Sequence, residues 1–286
     1  MMNITQKIPL FAVCDSEYLP FAVATFLSVL QHTKREVLLH IVHDGTLSAK
    51  QCQQVNRLFC QLTGSPVSFL HWKNEEKIST KGSGFPALVF ARLLLPELFP
   101  QYDRAIYLDS DMLMERDIGE LFDTPLENRA IGAVPENLWK EVFSTNAFFD
   151  PENKITYREY YQKLGLSPDH PYCNSGLLLM DMALLRKIQI GKIVSAHCND
   201  KLRFPDQDLL NAYLKDMILP LDASWNNLFY TPDPPAQQNI HFLQKPWKNS
   251  SASAYFGHYW QFMRKTPGFY RADNVRKIAH ILKDMA

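Results

Sequence analysis

Residues 8–42 read IPLFAVCDSEYLPFAVATFLSVLQHTKREVLLHIV, and this stretch indicates the fold. The apolar run Ile8–Cys14 has the length of a buried strand, and Phe21–Leu30 is apolar on most faces and long enough for a helix. Val37–Val42 is a second apolar run, rich in β-branched residues. Two buried strands joined by a helix predict a β-α-β unit, and such units form parallel sheets covered by helices.

The same alternation continues along the chain. Ser48 stands three residues before Gln51, a capping-box spacing that predicts the start of a helix, and Gly64 predicts its end. Further apolar runs predict strands at 67–71, 105–108, 130–134 and 176–180, and helical patterns occupy 182–197 and 206–214. We therefore expect an α/β protein with a mostly parallel, Rossmann-like sheet flanked by helices.

Composition argues against several classes of function. Thirty basic and thirty acidic residues cancel, so no net charge attracts nucleic acid. No apolar run approaches the ~20 residues that a membrane-spanning helix needs, and the N-terminal residues do not form a secretory signal. Five cysteines without a Cys-x-x-Cys pair argue against a disulfide framework. We therefore expect a cytoplasmic protein that does not bind nucleic acid.

An acidic pair directly follows one predicted strand. Asp109 and Asp111 lie two residues apart after the run 105–108, so their side chains point to the same side of an extended chain. Ligands of parallel sheets bind at the carboxyl ends of the strands, and two carboxylates there can hold one hard divalent cation. A second pair, Asp206 and Asp208, opens a predicted helix. For Asp206, capping of that helix stays open beside a ligand role.

A cation held by two carboxylates takes further ligands from water, phosphate or an imidazole. His241 is the best candidate, because residues 239–243 resemble a short strand and Lys245, whose ammonium can neutralise a phosphate, follows. A lone histidine among apolar residues is more often a core residue. The nearby Lys245 and the acidic pair favour the metal role here.

Two further polar positions are candidates for ligand contacts. Arg92 is an isolated charge in an apolar helical stretch, so it must reach water, a carboxylate or an anionic ligand. A structural ion pair explains it equally well. Asn174 and Gly176 precede an apolar run, where an amide can bind a polyhydroxylated ligand and a missing Cβ allows close approach. A tight turn would explain them as well.

Several short stretches form an ordered set that runs almost from end to end of the chain. They are Phe11–Asp15, His40–Gly45, Phe90–Leu93, Tyr107–Leu113, Cys173–Leu179, Asp206–Asn211, and His241 with Lys245–Trp247. This set resembles glycosyltransferase family 8, which includes bacterial lipopolysaccharide and lipo-oligosaccharide galactosyl- and glucosyltransferases. The resemblance implies a GT-A fold, a UDP-hexose donor, Mn²⁺ or Mg²⁺, and transfer with retention at the anomeric carbon.

The resemblance also implies a role for each matching position. The metal ligands would be Asp109, Asp111 and His241; the donor contacts Asp15, Tyr18, Arg92, Ser110, Asn174, Gly176 and Lys245; and the catalytic residues Asp206 and Gln207. Asp15 and Tyr18 would contact the uracil, Lys245 the diphosphate, and Gln207 would lie beside the reacting carbon. Because an amide is a poor nucleophile, we favour front-side attack by the acceptor over a covalent intermediate.

The sequence departs from the family pattern at two places. The family's loop between the metal histidine and Lys-Pro-Trp is usually longer and contains glycine, whereas here residues 242–244 are Phe-Leu-Gln. The shorter loop changes where Lys245 can reach, and therefore affects its expected contact with the diphosphate. Family members often have a histidine upstream of Arg92, on the side that faces the substrate. This chain has Ser-Gly-Phe-Pro at residues 83–86 instead, so its preference for acceptor or sugar can differ.

The C-terminal segment differs in composition from the rest of the chain. It contains clustered aromatic residues and six basic against two acidic side chains. We predict a transferase domain at 1–249 and a small helical appendage at 250–286 that contacts the acceptor or an anionic membrane surface. A terminal helix with a solvated basic face is an equal alternative. The membrane interpretation would place the protein at the inner face of the plasma membrane.

Together these features predict a metal-dependent, retaining hexosyltransferase that moves glucose or galactose from a UDP-sugar to a cell-surface glycan or glycolipid. Two alternatives stay open. The short loop after His241 would suit a non-catalytic sugar-nucleotide-binding protein. A strand followed by Asp-x-Asp also describes an aspartate-nucleophile phosphohydrolase, although that strand normally opens its domain and this one is central.

Overall fold

The structure is a computed structural model that describes residues 6–74, 78–80, 83–136, 139–145, 147–150, 154–228 and 238–242. Lys245 and the predicted appendage at 250–286 lie outside these residues. The boundary between 249 and 250 therefore stays a prediction.

The described chain alternates strands and helices. Its strands are β1 (Ile8–Val13), β2 (Val37–His43), β3 (Ser68–His71), β4 (Arg104–Leu108), β5 (Met112–Leu113), β6 (Ile131–Pro135), β7 (Phe148–Asp150), β8 (Ile155–Thr156), β9 (Cys173–Asp181), β10 (Ile218–Pro220) and β11 (Ile240–His241). Its α-helices are α1 (Leu19–His32), α2 (Ala49–Thr63), α3 (Ala91–Leu98), α4 (Ile118–Phe122), α5 (Trp139–Ser144), α6 (Tyr157–Lys163), α7 (Met182–Lys187), α8 (Ile190–His197) and α9 (Pro205–Leu214). Short 3₁₀ turns occupy Ala87–Phe90, Lys215–Met217 and Ala223–Trp225.

The chain divides into two compact units. Unit one contains the described residues within 6–73, 106–124 and 224–242, and unit two contains those within 74–105 and 125–223. Each unit is assembled from separate stretches of the chain.

Unit one contains the predicted β-α-β arrangement. Strands β1, β2 and β3 pair in parallel, and β4 pairs in parallel on the other side of β1. Helix α1 connects β1 to β2, as the alternation of apolar runs predicts. Helix α2 begins after Ser48, which forms a capping box with Gln51, and ends at Gly64, whose φ of 73° lies in the left-handed region. Both ends of this helix were predicted correctly.

Unit two mixes parallel and antiparallel pairing. Strand β6 pairs in parallel with β10 and antiparallel with β9. Strand β9 begins at Cys173, so Asn174 and Gly176 lie inside a buried strand, and the tight turn considered for them is wrong. Taken over both units, the described elements confirm an α/β fold with mostly parallel strands flanked by helices.

The helical pattern predicted at 182–197 is divided in the structure. Helix α7 ends before Gln189, whose φ of 61° lies in the left-handed region, and α8 begins after it. The side chain of Glu97 accepts a hydrogen bond of 2.9 Å from the N–H of Gly191 in the first turn of α8. A carboxylate at that end is favourable, because the first N–H groups of a helix have no partner within the helix. Two short helices therefore replace one long one.

No helix in the described part of the chain combines the length and apolar character needed to cross a bilayer.

Helix α9 is fixed to an aromatic core in unit two through a buried carboxylate. The core consists of Trp139, Phe143, Tyr160, Tyr161, Leu166 and Tyr172. Asp208 in α9 accepts hydrogen bonds from the hydroxyls of Tyr160 and Tyr172 at 2.5 and 2.6 Å. It also accepts from the N–H groups of Arg203 and Phe204 at 2.9 and 2.8 Å. Burial raises the pKa of Asp208 above its usual value, although the four hydrogen bonds lower it in part.

We expect Asp208→Asn to lower the free energy of unfolding by about 2–3 kcal/mol. The amide nitrogen of Asn would face backbone N–H groups or tyrosine hydroxyls that donate to Asp208, and one or more of these donors would lose its acceptor. Urea unfolding followed by circular dichroism measures this loss. Asp216→Asn is the matched control, since the side chain of Asp216 is exposed. Equal effects of the two substitutions would contradict the structural role of Asp208.

Candidate active site

The acidic pair of unit one lies in the short connection between β4 and β5. Asp109, Ser110 and Asp111 follow β4 directly, as predicted, at the carboxyl end of a parallel strand. The hydroxyl of Thr25 in α1 bridges the carbonyl oxygens of Ser110 and Met112 at 2.9 and 2.8 Å, which fixes this connection against the helix. The hydroxyl of Ser110 is buried and has no hydrogen-bond partner within the described chain.

Strand β11 brings His241 to the acidic pair. It pairs antiparallel with β5, with His241 opposite Met112, and the N–H of Phe242 donates to the carbonyl of Asp111 at 3.0 Å. The fully buried Asn239 fixes this approach, because its Oδ1 accepts from the N–H groups of Glu115 and Arg116 at 2.9 and 3.0 Å. The expected return of a short strand toward the acidic pair is therefore present.

Asp109, Asp111 and His241 can share one metal ion. One potential ligand atom from each lies within 4.8 Å of the others. His241 Nε2 is 3.2 Å from Asp111 Oδ1 and 3.7 Å from Asp109 Oδ2. Two carboxylates and one imidazole form a donor set that suits a hard or borderline divalent cation such as Mg²⁺ or Mn²⁺.

A second contact orients the imidazole. His241 Nδ1 lies 3.2 Å from Asn226 Oδ1. A carbonyl oxygen can only accept, so this contact favours a hydrogen on Nδ1 and leaves Nε2 facing the carboxylates. Such an outer hydrogen bond is common for histidines that bind metal ions.

The remaining candidates of unit one lie at the ends of β1 and β4. Asp15 Oδ1 accepts from the N–H groups of Glu17 and Tyr18 at 2.9 and 2.8 Å, just before α1. Burial, followed by the charges of Asp15, Asp109 and Glu17, raises the pKa of Tyr18, which stays neutral at pH 7. The hydroxyl of Tyr107 donates to Asp109 Oδ1 at 2.5 Å.

In unit two, Arg92 forms a buried ion pair. Its Nε lies 3.2 Å from Asp206 Oδ2, and its Nη1 donates to Ser175 O and Ser175 Oγ at 3.1 Å. The hydroxyl of Ser175 in turn donates to Asp206 Oδ2 at 2.8 Å. The ion pair considered for Arg92 is therefore present, and it joins α3, β9 and α9.

Gln207 belongs to a neighbouring hydrogen-bond network in the same unit. Its Oε1 accepts from Asn174 Nδ2 and from the N–H of Ser175, both at 3.0 Å. Its Nε2 donates to Glu136 Oε1 at 2.9 Å, and Asn174 Oδ1 accepts from the N–H of Gly176 at 2.8 Å. This network holds the side chains of Asn174 and Gln207 in fixed positions.

The structure thus groups the predicted residues into two clusters, one in each unit. Unit one groups Asp109, Asp111 and His241, with Tyr18 near Asp109; unit two groups Arg92, Asn174, Gly176, Asp206 and Gln207. Five residues that contact these clusters were not predicted from the sequence, namely Tyr107, Ser175, Asn226, Asn239 and Glu136. Tyr107 carried a signal, since it lies two residues before Asp109 on the same strand face.

Comparison with known proteins gives the family. The profile described as Glycosyl transferase family 8 matches residues 9–251. General stress protein A of Bacillus subtilis (strain 168) is 24% identical over 296 aligned positions, which cover 93% of this chain and 96% of that protein. Glycosyltransferase GlyA of Streptococcus pneumoniae serotype 4 is 24% identical over 90% of this chain but only 35% of its own length.

Solved structures show the same fold. The galactosyltransferase LgtC, in complex with donor and acceptor sugar analogs, superposes with a TM-score of 0.75 at 19% identity, covering 94% of this chain and 100% of LgtC. The bifunctional glycosyltransferase WbbM gives the same TM-score and identity over 96% of this chain and 51% of its own. Because the family profile extends over most of the sequence and the fold is that of GT-A glycosyltransferases, the chain belongs to glycosyl transferase family 8.

Proposed function

We propose that this protein is a metal-dependent, retaining hexosyltransferase. It moves glucose or galactose from a UDP-sugar to a glycan or lipid-linked saccharide of the cell surface, such as lipopolysaccharide. Family membership and the GT-A fold support a glycosyltransferase. The metal dependence is supported by the cluster of Asp109, Asp111 and His241 at the carboxyl end of β4.

We assign this cluster to Mn²⁺ or Mg²⁺. A bound divalent ion stabilises the negative charge of a departing nucleoside diphosphate. The protein prepares for it in two ways: Asn226 holds Nε2 of His241 toward the carboxylates, and Thr25 fixes the backbone between them. Side chains that are already in place need no rearrangement when charge develops.

Other residues of unit one are assigned to the nucleotide. Asp15 and Tyr18 contact the uracil, and the buried hydroxyl of Ser110 contacts the donor. A buried hydroxyl with no partner in the described chain is costly unless a ligand completes its hydrogen bond, which supports this role for Ser110. Lys245 is assigned to the diphosphate on the family resemblance alone.

The polar cluster of unit two is assigned to the hexose. Arg92, Asn174 and Asp206 contact its hydroxyl groups, Gly176 allows its approach, and Gln207 lies beside the reacting carbon. These side chains are held by charged or hydrogen-bonded neighbours, so little conformational entropy is lost when a sugar binds. The acceptor attacks from the face that the nucleotide leaves, because an amide is a poor nucleophile.

The proposal also includes a location. The protein works in the cytoplasm, and its residues 250–286 contact the acceptor or the inner face of the plasma membrane. The excess of basic and aromatic residues in that segment supports this part of the proposal.

Release of UDP tests the function directly. Incubation with UDP-glucose or UDP-galactose and Mn²⁺ should liberate UDP slowly by hydrolysis, faster with an acceptor, and EDTA should stop it. Release from no common nucleotide sugar would contradict the proposal. Metal-dependent UDP-sugar binding in calorimetry without any turnover across an acceptor panel would instead indicate a non-catalytic binder.

Asp111→Asn should lower UDP release at least about 100-fold, because loss of a direct ligand exceeds the ~10- to 100-fold effects typical of outer partners. Rates at saturating UDP-sugar and saturating Mn²⁺ give the comparison. Asp103→Asn is the control, since the side chain of Asp103 is 85% exposed in a surface ion pair with Arg186. A fully active Asp111→Asn enzyme would remove the metal assignment.

Asn226→Ala should weaken Mn²⁺ by about 10- to 100-fold and leave the rate at saturating Mn²⁺ within a few-fold of wild type. The reason is that Asn226 orients His241 without binding the ion itself. A Mn²⁺ titration of UDP release measures the effect. An unchanged half-saturating concentration would show that this hydrogen bond does not orient a ligand.

A further inference from the structure

The carboxamide of Gln207 has a fixed polarity. Its oxygen accepts from Asn174 Nδ2 and from the N–H of Ser175, and its nitrogen donates to Glu136 Oε1. The N–H of Ser175 can only donate, and the Glu136 carboxylate, when ionised, can only accept. A flipped amide would face a donor with its nitrogen and an acceptor with its oxygen. The network therefore allows one orientation of Gln207.

This orientation determines what Gln207 can offer a ligand. Both lone pairs of Oε1 already accept hydrogen bonds, which lowers the nucleophilicity of an amide oxygen that is weak to begin with. One of the two N–H groups on Nε2 is occupied by Glu136. The other has no acceptor within the described chain. Gln207 is thus better suited to donate a hydrogen bond than to act as a nucleophile.

Glu136 itself is anchored at the end of β6. Its N–H donates to the carbonyl of Tyr172 at 2.9 Å, and its Oε1 lies 3.4 Å from Asn174 Nδ2 as well as 2.9 Å from Gln207 Nε2. One carboxylate oxygen therefore contacts both amides of the network. Gln207 is 7% exposed, and at such a site a charged acceptor gives a stronger hydrogen bond than water would.

We propose that Glu136 is a positioning residue that orients Gln207, so that Gln207 presents an N–H group, and not its carbonyl oxygen, to an oxygen atom of the bound hexose. The proposal rests on the function proposed above. It assigns Glu136 an effect on the rate through Gln207 and no contact with the sugar.

Exchange of the two side chains tests the proposal. Gln207→Glu alone sets two carboxylates at a contact of 2.9 Å in the present structure, which should lower the melting temperature by about 4 °C or more. Adding Glu136→Gln restores one donor and one acceptor at that contact. The double variant should melt within about 2 °C of wild type.

Activity should not follow stability in this series. The exchanged pair has a carboxylate at position 207 and no N–H for the hexose, so UDP release should stay at least about 10-fold below wild type despite the recovered stability. Glu136→Ala should lower kcat about 10-fold and change KM for the UDP-sugar less than about twofold. Glu141→Gln, an exposed carboxylate in α5, is the control and should change neither quantity.

Each result decides one part of the proposal. Full activity of the stable double variant would overturn the donor role of Gln207. Additive melting temperatures, without recovery in the double variant, would overturn the contact between Glu136 and Gln207. A wild-type protein that released no UDP would overturn the proposed function, and with it the role toward a hexose, whereas the melting temperatures would still decide the contact.

Discussion

Unit one depends on one constraint: the carboxylates of Asp109 and Asp111 lie close to each other and to Nε2 of His241. Asp111 and His241 are buried, and Coulomb repulsion between neighbouring carboxylates is strong where water is scarce. The backbone holds them there through Thr25, Asn239 and the pairing of β5 with β11. None of these contacts neutralises the charge. In the function proposed above, a divalent cation neutralises this charge and stabilises a departing diphosphate.

In unit two, the buried carboxylates of Asp206 and Asp208 have positively charged or hydrogen-bonding partners within the described chain. The carboxylate of Asp206 faces the guanidinium of Arg92, and Asp208 is surrounded by hydroxyl and N–H donors. Complete hydrogen-bond networks of this kind are rigid, because breaking one contact leaves a buried polar group without a partner. A rigid polar cluster suits the recognition of sugar hydroxyl groups, whereas a charge imbalance suits a metal ion.

Much of unit one could be predicted because its signals are local. The apolar runs of β1 and β2, the capping box at Ser48 and the spacing of Asp109 and Asp111 each lie within a few neighbouring residues. The break at Gln189 could not be predicted, because it is supported by Glu97, far away in the sequence. Asn226, Asn239 and Glu136 were missed for the same reason. Each acts through hydrogen bonds to residues that are distant along the chain, and no spacing rule marks such a residue.

The proposed function depends on the binding of one divalent ion by Asp109, Asp111 and His241 together. The most direct measurement is a crystal structure of the protein grown with MnCl₂ and UDP, with diffraction data collected at the manganese absorption edge. We expect one anomalous difference peak in contact with both carboxylates and with Nε2 of His241, adjacent to the diphosphate. A map in which UDP is bound but the manganese peak lies elsewhere, with either aspartate turned away from it, would show that these three residues do not form the metal site.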